Sequence, residues 1–137
     1  MNIMQRLPLA LFLLRIGVFI VMLMWTLDKL VNPKHASAVF KKFYFISGMD
    51  LSIFYVIGAL ELVLVLAFVA GLMKRWTYGA VMILHAVSTF SAFGYYLNPW
   101  DKLTFFAAWP MLAACFAIYY LRDADTLLTL GGPKLPA

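Results

Sequence analysis

Three ionisable side chains stand inside long apolar runs of this chain: Arg15, Glu61 and His85. Ionisable groups in such surroundings are expensive, so each is a candidate functional site. An arginine cannot shed its proton, and Arg15 therefore needs a carboxylate or water beside it. Glu61 is the acidic residue that an apolar run supplies, and a forked Arg15–Glu61 pair is the most economical arrangement. His85 would then accept or donate a hydrogen bond beside that pair. Ser88 and Thr89, with Tyr78, Ala92 and Tyr96, fall close to the His85 face at helical spacing and would line a small polar cavity. Such a cluster suits a quinone or another small ligand, or a proton path. Simpler roles stand beside these. The pair would equally serve to hold helices in register, and the two hydroxyls to bond back to their own helix. For His85, a satisfied core histidine is the simpler reading than a metal ligand. The other histidine is His35, and no Cys/His cluster has metal spacing.

The elements that must position these groups follow from composition. The 137 residues are 65% hydrophobic and 12% charged, with a mean hydropathy of +0.91. Globular chains run nearer half apolar and a quarter charged. So few charges cannot coat a compact domain, and the excess apolar surface calls for lipid. The net charge of +5 does not indicate nucleic-acid binding, because the basic residues dot the ends of apolar runs instead of clustering on a polar face. One cysteine, Cys115, excludes a disulfide scaffold.

Four runs reach the ~20 residues that a membrane-crossing helix needs: about 7–27, 51–73, 76–97 and 103–121. The first carries Arg15 but holds enough Leu, Ile, Phe and Val to insert regardless. A cleaved signal peptide is the rival reading, weakened by Arg15 and by the lack of an A-x-A site. Trp25, Trp76, Tyr78, Tyr95, Tyr96, Trp100, Tyr119 and Tyr120 sit at interfacial positions. Lys74 and Arg75 mark a tight turn, Asn98-Pro99 stops the third run, and Pro110 should kink the fourth. Gly131-Gly132-Pro133 opens a tail expected to be loose. The expected fold is all-α: a membrane four-helix up-down bundle, one domain over residues 1–137. The pairs Ala67/Gly71 and Ala113/Ala117 would let its helices approach closely.

The long connection, from Asp28 to about Asp50, holds a further pattern. Ala36, Val39, Phe40, Phe43 and Tyr44 fall on one helical face, with Lys41 and Lys42 off it. This predicts a short interfacial helix between the first two spans, started by Asn32-Pro33 and ended by Ser47-Gly48. Asp28, Lys29, Lys41 and Lys42 are candidate docking residues there. An even span count puts both termini on one side, but Lys and Arg divide five against five and leave the side open.

Depth brings the three buried groups together. Arg15 lies about 12 Å in from Leu7, Glu61 about 18 Å in from Met73 and His85 about 14 Å in from Trp76, all measured from the terminal side. On that count they share one layer of the bundle. Other chemistry is missing: there is no Cys-x-x-Cys, no paired haem histidines, no phosphate loop and no nucleophile with its base.

Several of these residues carry a resemblance. Leu14-Arg15-Ile16-Gly17, then Asp28-Lys29-Leu30 with Asn32-Pro33, then Phe40 to Tyr44 look like the opening of DoxX-like membrane proteins. Gly58-Ala59-Leu60-Glu61-Leu62, Ala70-Gly71-Leu72 and Arg75 resemble that family's second span. The similarity covers roughly residues 10–122. It departs at Thr26, Leu27 and Asp28, where many relatives carry a glycine. The resemblance implies a four-helix protein of the bacterial cytoplasmic membrane, with both termini inside. It further implies association with redox systems, and it marks Arg15, Lys29 and Glu61 as the family's polar positions.

The leading expectation is therefore an accessory membrane subunit of a redox system, not catalytic alone. It would bind a quinone or other small ligand at the Arg/Glu/His cluster, or dock another protein subunit through residues 28–50. A homo-oligomer is the other expected assembly. A small-solute or proton transporter and a structural assembly factor are the alternatives.

Overall fold

The computed structural model describes residues 1–131, and every described element is helical. Helix α1 spans Ile3–Val31, α2 Pro33–Tyr44, α3 Leu51–Val69, α4 Lys74–Ser91, α5 Phe93–Leu97 and α6 Ala108–Tyr120. A 3-10 stretch, Leu103–Ala107, leads directly into α6. Three stretches are long and apolar enough to cross a membrane: Ile3–Val31, Leu51–Val69 and Leu103–Tyr120. The expected span 76–97 is divided between α4 and α5 at Ala92. Its polar residues Thr77, His85, Ser88, Thr89 and Ser91 make it the least apolar of the four runs.

Local chemistry sets the helix limits. Asn2 caps α1 by accepting from the Gln5 N–H, while the Gln5 side chain accepts from Asn2 N–H. The helix therefore starts four residues before the expected Leu7, and it runs four residues past Leu27. Pro33 opens α2 at its first position, where a missing N–H costs nothing. Asp50 caps α3 through the Ser52 N–H at 3.0 Å. The turn from α3 to α4 needs two left-handed residues, Gly71 at φ 70° and Met73 at φ 46°. The kink expected at Pro110 is replaced by the 3-10 stretch, which leaves Pro110 in the first turn of α6.

α1 packs against α3 and α6, and α4 packs against the same two helices. Val18, Met22, Val65, Phe68, Tyr78, Val81, Cys115 and Ile118 form the central cluster. The outer surface inverts the pattern of a water-soluble bundle. Leu13, Ile20, Val56, Leu60, Val63, Val87, Phe90 and Phe116 are exposed large apolar side chains, while Arg15, Thr26 and Asp125 are among the most buried residues.

Two ends can be distinguished. The terminal end holds the start of α1, the turn 70–73 and the end of α6. The distal end holds the end of α1, α2 and the start of α3. On the distal side α2 lies as its periodicity predicts. Ala36 is buried, Phe40 meets Phe54 edge-on at 5.1 Å, and Lys41 and Lys42 are exposed. The Lys42 ammonium sits 5.1 Å from the Tyr95 ring, which stacks on Phe105 at 4.4 Å.

Candidate functional site

The ionisable residues form three separate networks, and the expected Arg15–Glu61–His85 cluster does not assemble. The register of α1 against α3 explains this. Thr26 faces Glu61, and a side chain at Gly58 would strike Leu30. Glu61 is therefore level with Thr26, eleven residues and about 16 Å along α1 from Arg15. The depth count had set Leu7 level with Met73 and Leu27 level with Leu51. In the structure α1 overruns at the distal end and α3 stops at Val69, so the two helices slide past that alignment.

The first network closes around Arg15 at the terminal end. Arg15 Nη1 donates to Asp125 Oδ2 at 2.7 Å and to the Tyr78 hydroxyl at 3.3 Å. Its Nη2 donates to the carbonyls of Leu127 at 2.6 Å and Leu128 at 3.2 Å. Tyr78 in turn donates to Asp125 Oδ2 at 2.7 Å, and Lys74 Nζ donates to the Asp125 carbonyl. Arg15 and Asp125 are both fully buried. The segment after α6 thus folds back over the terminal end. The Leu130 N–H donates to the Ala70 carbonyl at 2.8 Å, and Gly131 packs near Leu72. Gly131 is accordingly tied down, while the rest of the expected loose tail lies outside the described residues. Asp125 is the partner that sequence reasoning missed. Its signal was position: Asp123 and Asp125 are the acidic residues next in sequence to the end of the fourth apolar run.

The second network lies at the distal end. Lys29 Nζ stands 3.1 Å from Glu61 Oε2 and donates to the Trp25 carbonyl at 3.2 Å. The Thr26 hydroxyl sits between the Met22 carbonyl at 2.7 Å and Glu61 Oε1 at 3.1 Å. Both charged side chains are 12% exposed, so this pair, unlike Arg15–Asp125, is accessible. One turn away, Asp28 Oδ2 accepts from His35 Nδ1 at 2.7 Å and ties α1 to α2. A crevice of about 20 Å³, room for one water, opens among Trp25, Asp28, Lys29, Ala36, Val39 and Phe40. Asp28 and Lys29 point to different partners, as adjacent helical residues must.

The third network belongs to His85. Its Nε2 lies 2.9 Å from the Ala108 carbonyl and 3.2 Å from Thr89 Oγ1. A carbonyl only accepts, so Nε2 carries the proton. Thr89 Oγ1 donates to the carbonyl of His85 at 2.8 Å, the back-bonding that its position in a helix suggests. Ser88 is exposed and turns away from this contact. The His85–Ala108 bond fastens α4 to the first residue of α6, which is a positioning role. The stripe from Tyr78 to Tyr96 therefore serves two ends: Tyr78 joins the Arg15 network, and the Tyr96 ring packs 5.2 Å from Trp109.

Among the described residues, no group of three His, Cys, Asp or Glu side chains is placed to hold a metal ion. Chemically, the terminal network is closed off from the surface, although Arg15 Nε and Asp125 Oδ1 have no hydrogen-bond partner, and the distal one offers a carboxylate, an ammonium and an imidazole near a crevice. Searches of protein-family models, curated proteins and solved structures find no match to this chain.

Proposed function

We propose that the chain is a multi-pass membrane protein, a four-helix up-down bundle, acting as a non-catalytic accessory subunit of a membrane redox system. The working end is the distal one, where Lys29–Glu61 and Asp28–His35 flank the α2 crevice. The observation that carries this placement is the contrast between two ion pairs. Arg15–Asp125 is fully buried among protein groups, with Tyr78 and the carbonyls of Leu127 and Leu128 around it, whereas Lys29–Glu61 remains 12% exposed. A group that recognises a ligand or a partner must be reachable, and a closed pair fixes helix packing instead.

The redox assignment rests on the resemblance at Arg15, Lys29 and Glu61, and the pairing of the last two supports it. A quinone bound jointly by Arg15, Glu61 and His85 loses its support, since these residues lie in different networks. A small polar headgroup at Lys29–Glu61, or a subunit docked on α2 through Lys41 and Lys42, fits the distal end. From the same resemblance, the membrane is the bacterial cytoplasmic one and both termini face inside.

Purification in mild detergent tests the reading. The wild-type chain should carry a redox enzyme or a quinone in stoichiometric amount. Glu61→Gln should strip that companion while leaving the chain abundant in the membrane. A chain that purifies alone, with flux through proteoliposomes that Glu61→Gln stops, would sink the accessory reading in favour of a transporter.

A further inference from the structure

A groove of about 480 Å³ runs between α4 and α6 on the outer face of the bundle. Its walls are wholly apolar in character, including Met82, Ala86, Trp109, Ala113 and Phe116. The alanines leave the room that larger side chains would fill. Trp109 bounds the groove distally, held edge-on by Phe90 at 5.6 Å, and Phe116, stacked on Tyr120 at 5.7 Å, bounds it toward the terminal end.

The helices run antiparallel here, and a Cβ placed on Gly79 would lie 3.3 Å from the Tyr119 ring. The residues just beyond the terminal end of the groove are consequently Arg75 on α4 and Arg122 after α6. Arg75, Met82 and Ala86 share one face of α4 at helical spacing. Arg75 is exposed, with its guanidinium 5.6 Å from the Trp76 ring. Arg122 lies 4.8 Å from the Tyr119 ring and donates to the Tyr119 carbonyl through Nη1 at 2.9 Å, leaving its other N–H groups without a recorded acceptor. Lys74 is committed inward to Asp125, and Asp123 is the exposed acid at this end.

We propose that this groove holds one acyl chain of an anionic phospholipid whose phosphate is gripped by Arg75 and Arg122. Charge complementarity selects this occupant. An apolar slot facing hydrocarbon accepts a chain, and two guanidiniums at the interface suit a phosphate with net negative charge better than one already neutralised by its own headgroup ammonium. The depth agrees as well. Arg75 is about 10 Å along the helix from Met82, more than one headgroup layer of about 5–8 Å, so a phosphate level with Arg75 leaves Met82 inside the hydrocarbon. The proposal rests on the membrane reading, and release of the chain by alkaline carbonate without detergent would refute that reading itself.

Native mass spectrometry of the detergent-solubilised chain, titrated with phosphatidylglycerol or phosphatidylcholine, tests the site. The wild type should retain one phosphatidylglycerol per chain, at least fivefold tighter than phosphatidylcholine. Arg75→Gln with Arg122→Gln should erase that preference. Ala86→Trp and, independently, Ala113→Phe should remove the bound lipid while circular dichroism shows unchanged helix content. Equal retention of the two lipids, or undiminished phosphatidylglycerol in both groove-filling variants, would overturn the proposal. So would a doubled mass that Ala86→Trp abolishes, because a second copy of the chain would then own the groove.

Discussion

Replacing Asp125 with alanine should be among the most damaging single changes in the molecule. The carboxylate is fully buried and accepts from Arg15 Nη1 and from the Tyr78 hydroxyl, each at 2.7 Å. Without it, the Arg15 guanidinium keeps two carbonyls and a tyrosine oxygen but no counter-charge. Breaking a buried pair by removing one partner costs about 3–5 kcal/mol, which is two to nearly four powers of ten in the folded fraction at about 1.4 kcal/mol per decade. Against a total stability of about 5–15 kcal/mol, that loss takes between a fifth and all of the margin. Asp125→Asn keeps an acceptor in place and should cost about half as much, roughly 1.5–3 kcal/mol. The double change Arg15→Met with Asp125→Leu removes both charges and fills the space with apolar groups. It should recover to within about 2 kcal/mol of the parent, because an apolar replacement of a buried pair is often neutral. Equilibrium unfolding of the purified parent, Arg15→Met, Asp125→Leu and the double variant in mixed micelles, followed by helix content, gives the four stabilities of the cycle. Two results would refute the reasoning: a loss below about 1 kcal/mol for Asp125→Ala, or a double variant as unstable as the sum of its singles.

Gly71→Ala should destabilise by about 2–3 kcal/mol, through overpacking and a left-handed backbone: its φ is +70° and a new Cβ would lie 2.6 Å from Thr129 Cγ2, which thermal unfolding would register. Gly17→Ala should stabilise by about 0.5–1 kcal/mol, because nothing lies within 4 Å of that Cβ position, and the same unfolding assay reads the gain. Asp50 has a pKa below the ordinary carboxylate value because the Ser52 backbone and side chain bond its charged form. Its contribution to the α3 cap is thus complete above the unfolded value of about 3.9 and disappears as pH falls through the folded one. Titration by carboxyl NMR in micelles should find Asp50 below the free-aspartate value in the parent and near it in a Ser52→Pro chain, where the donor N–H is gone.

Much of the fold was legible because a helix advertises itself through composition and period. Apolar runs marked three helices that the structure makes long enough to cross a membrane. Asn32-Pro33 and the Ala36–Val39–Phe40–Phe43 face marked α2. What the apolar runs concealed was where helices begin and end. Asn2 and Gln5 form a capping box outside the apolar run, so a reading that starts at Leu7 loses the first turn. A few residues at each end are harmless to a fold assignment and fatal to a depth argument, since antiparallel neighbours accumulate both errors. Arg15 and Glu61 consequently looked level and are about 16 Å apart. Asp125 stayed hidden for another reason. It lies beyond the last apolar run, in an irregular segment whose return over the terminal end no periodicity encodes.

The placement of charge along α1 suggests why the molecule carries two ion pairs. Arg15 and Lys29 are fourteen residues apart, close to four turns, so they fall on nearly the same face about 21 Å apart along the axis. That separation is shorter than a hydrocarbon core of about 30 Å, so the two charges cannot stand outside it on opposite sides, and a charge within it needs a partner. The partners differ in kind. Asp125 comes from a segment outside any helix, which folds back over the terminal end, and Arg15 is fully buried beneath it. Glu61 comes from a helix already packed against α1, and α2 covers the pair only in part. A pair enclosed by the returning segment suits helix packing, and a pair partly covered by a short amphipathic helix is the one that the proposed function puts to work. On the proposed function, the distal end of this arginine-and-lysine helix is where substitutions such as Glu61→Gln should alter function without altering abundance.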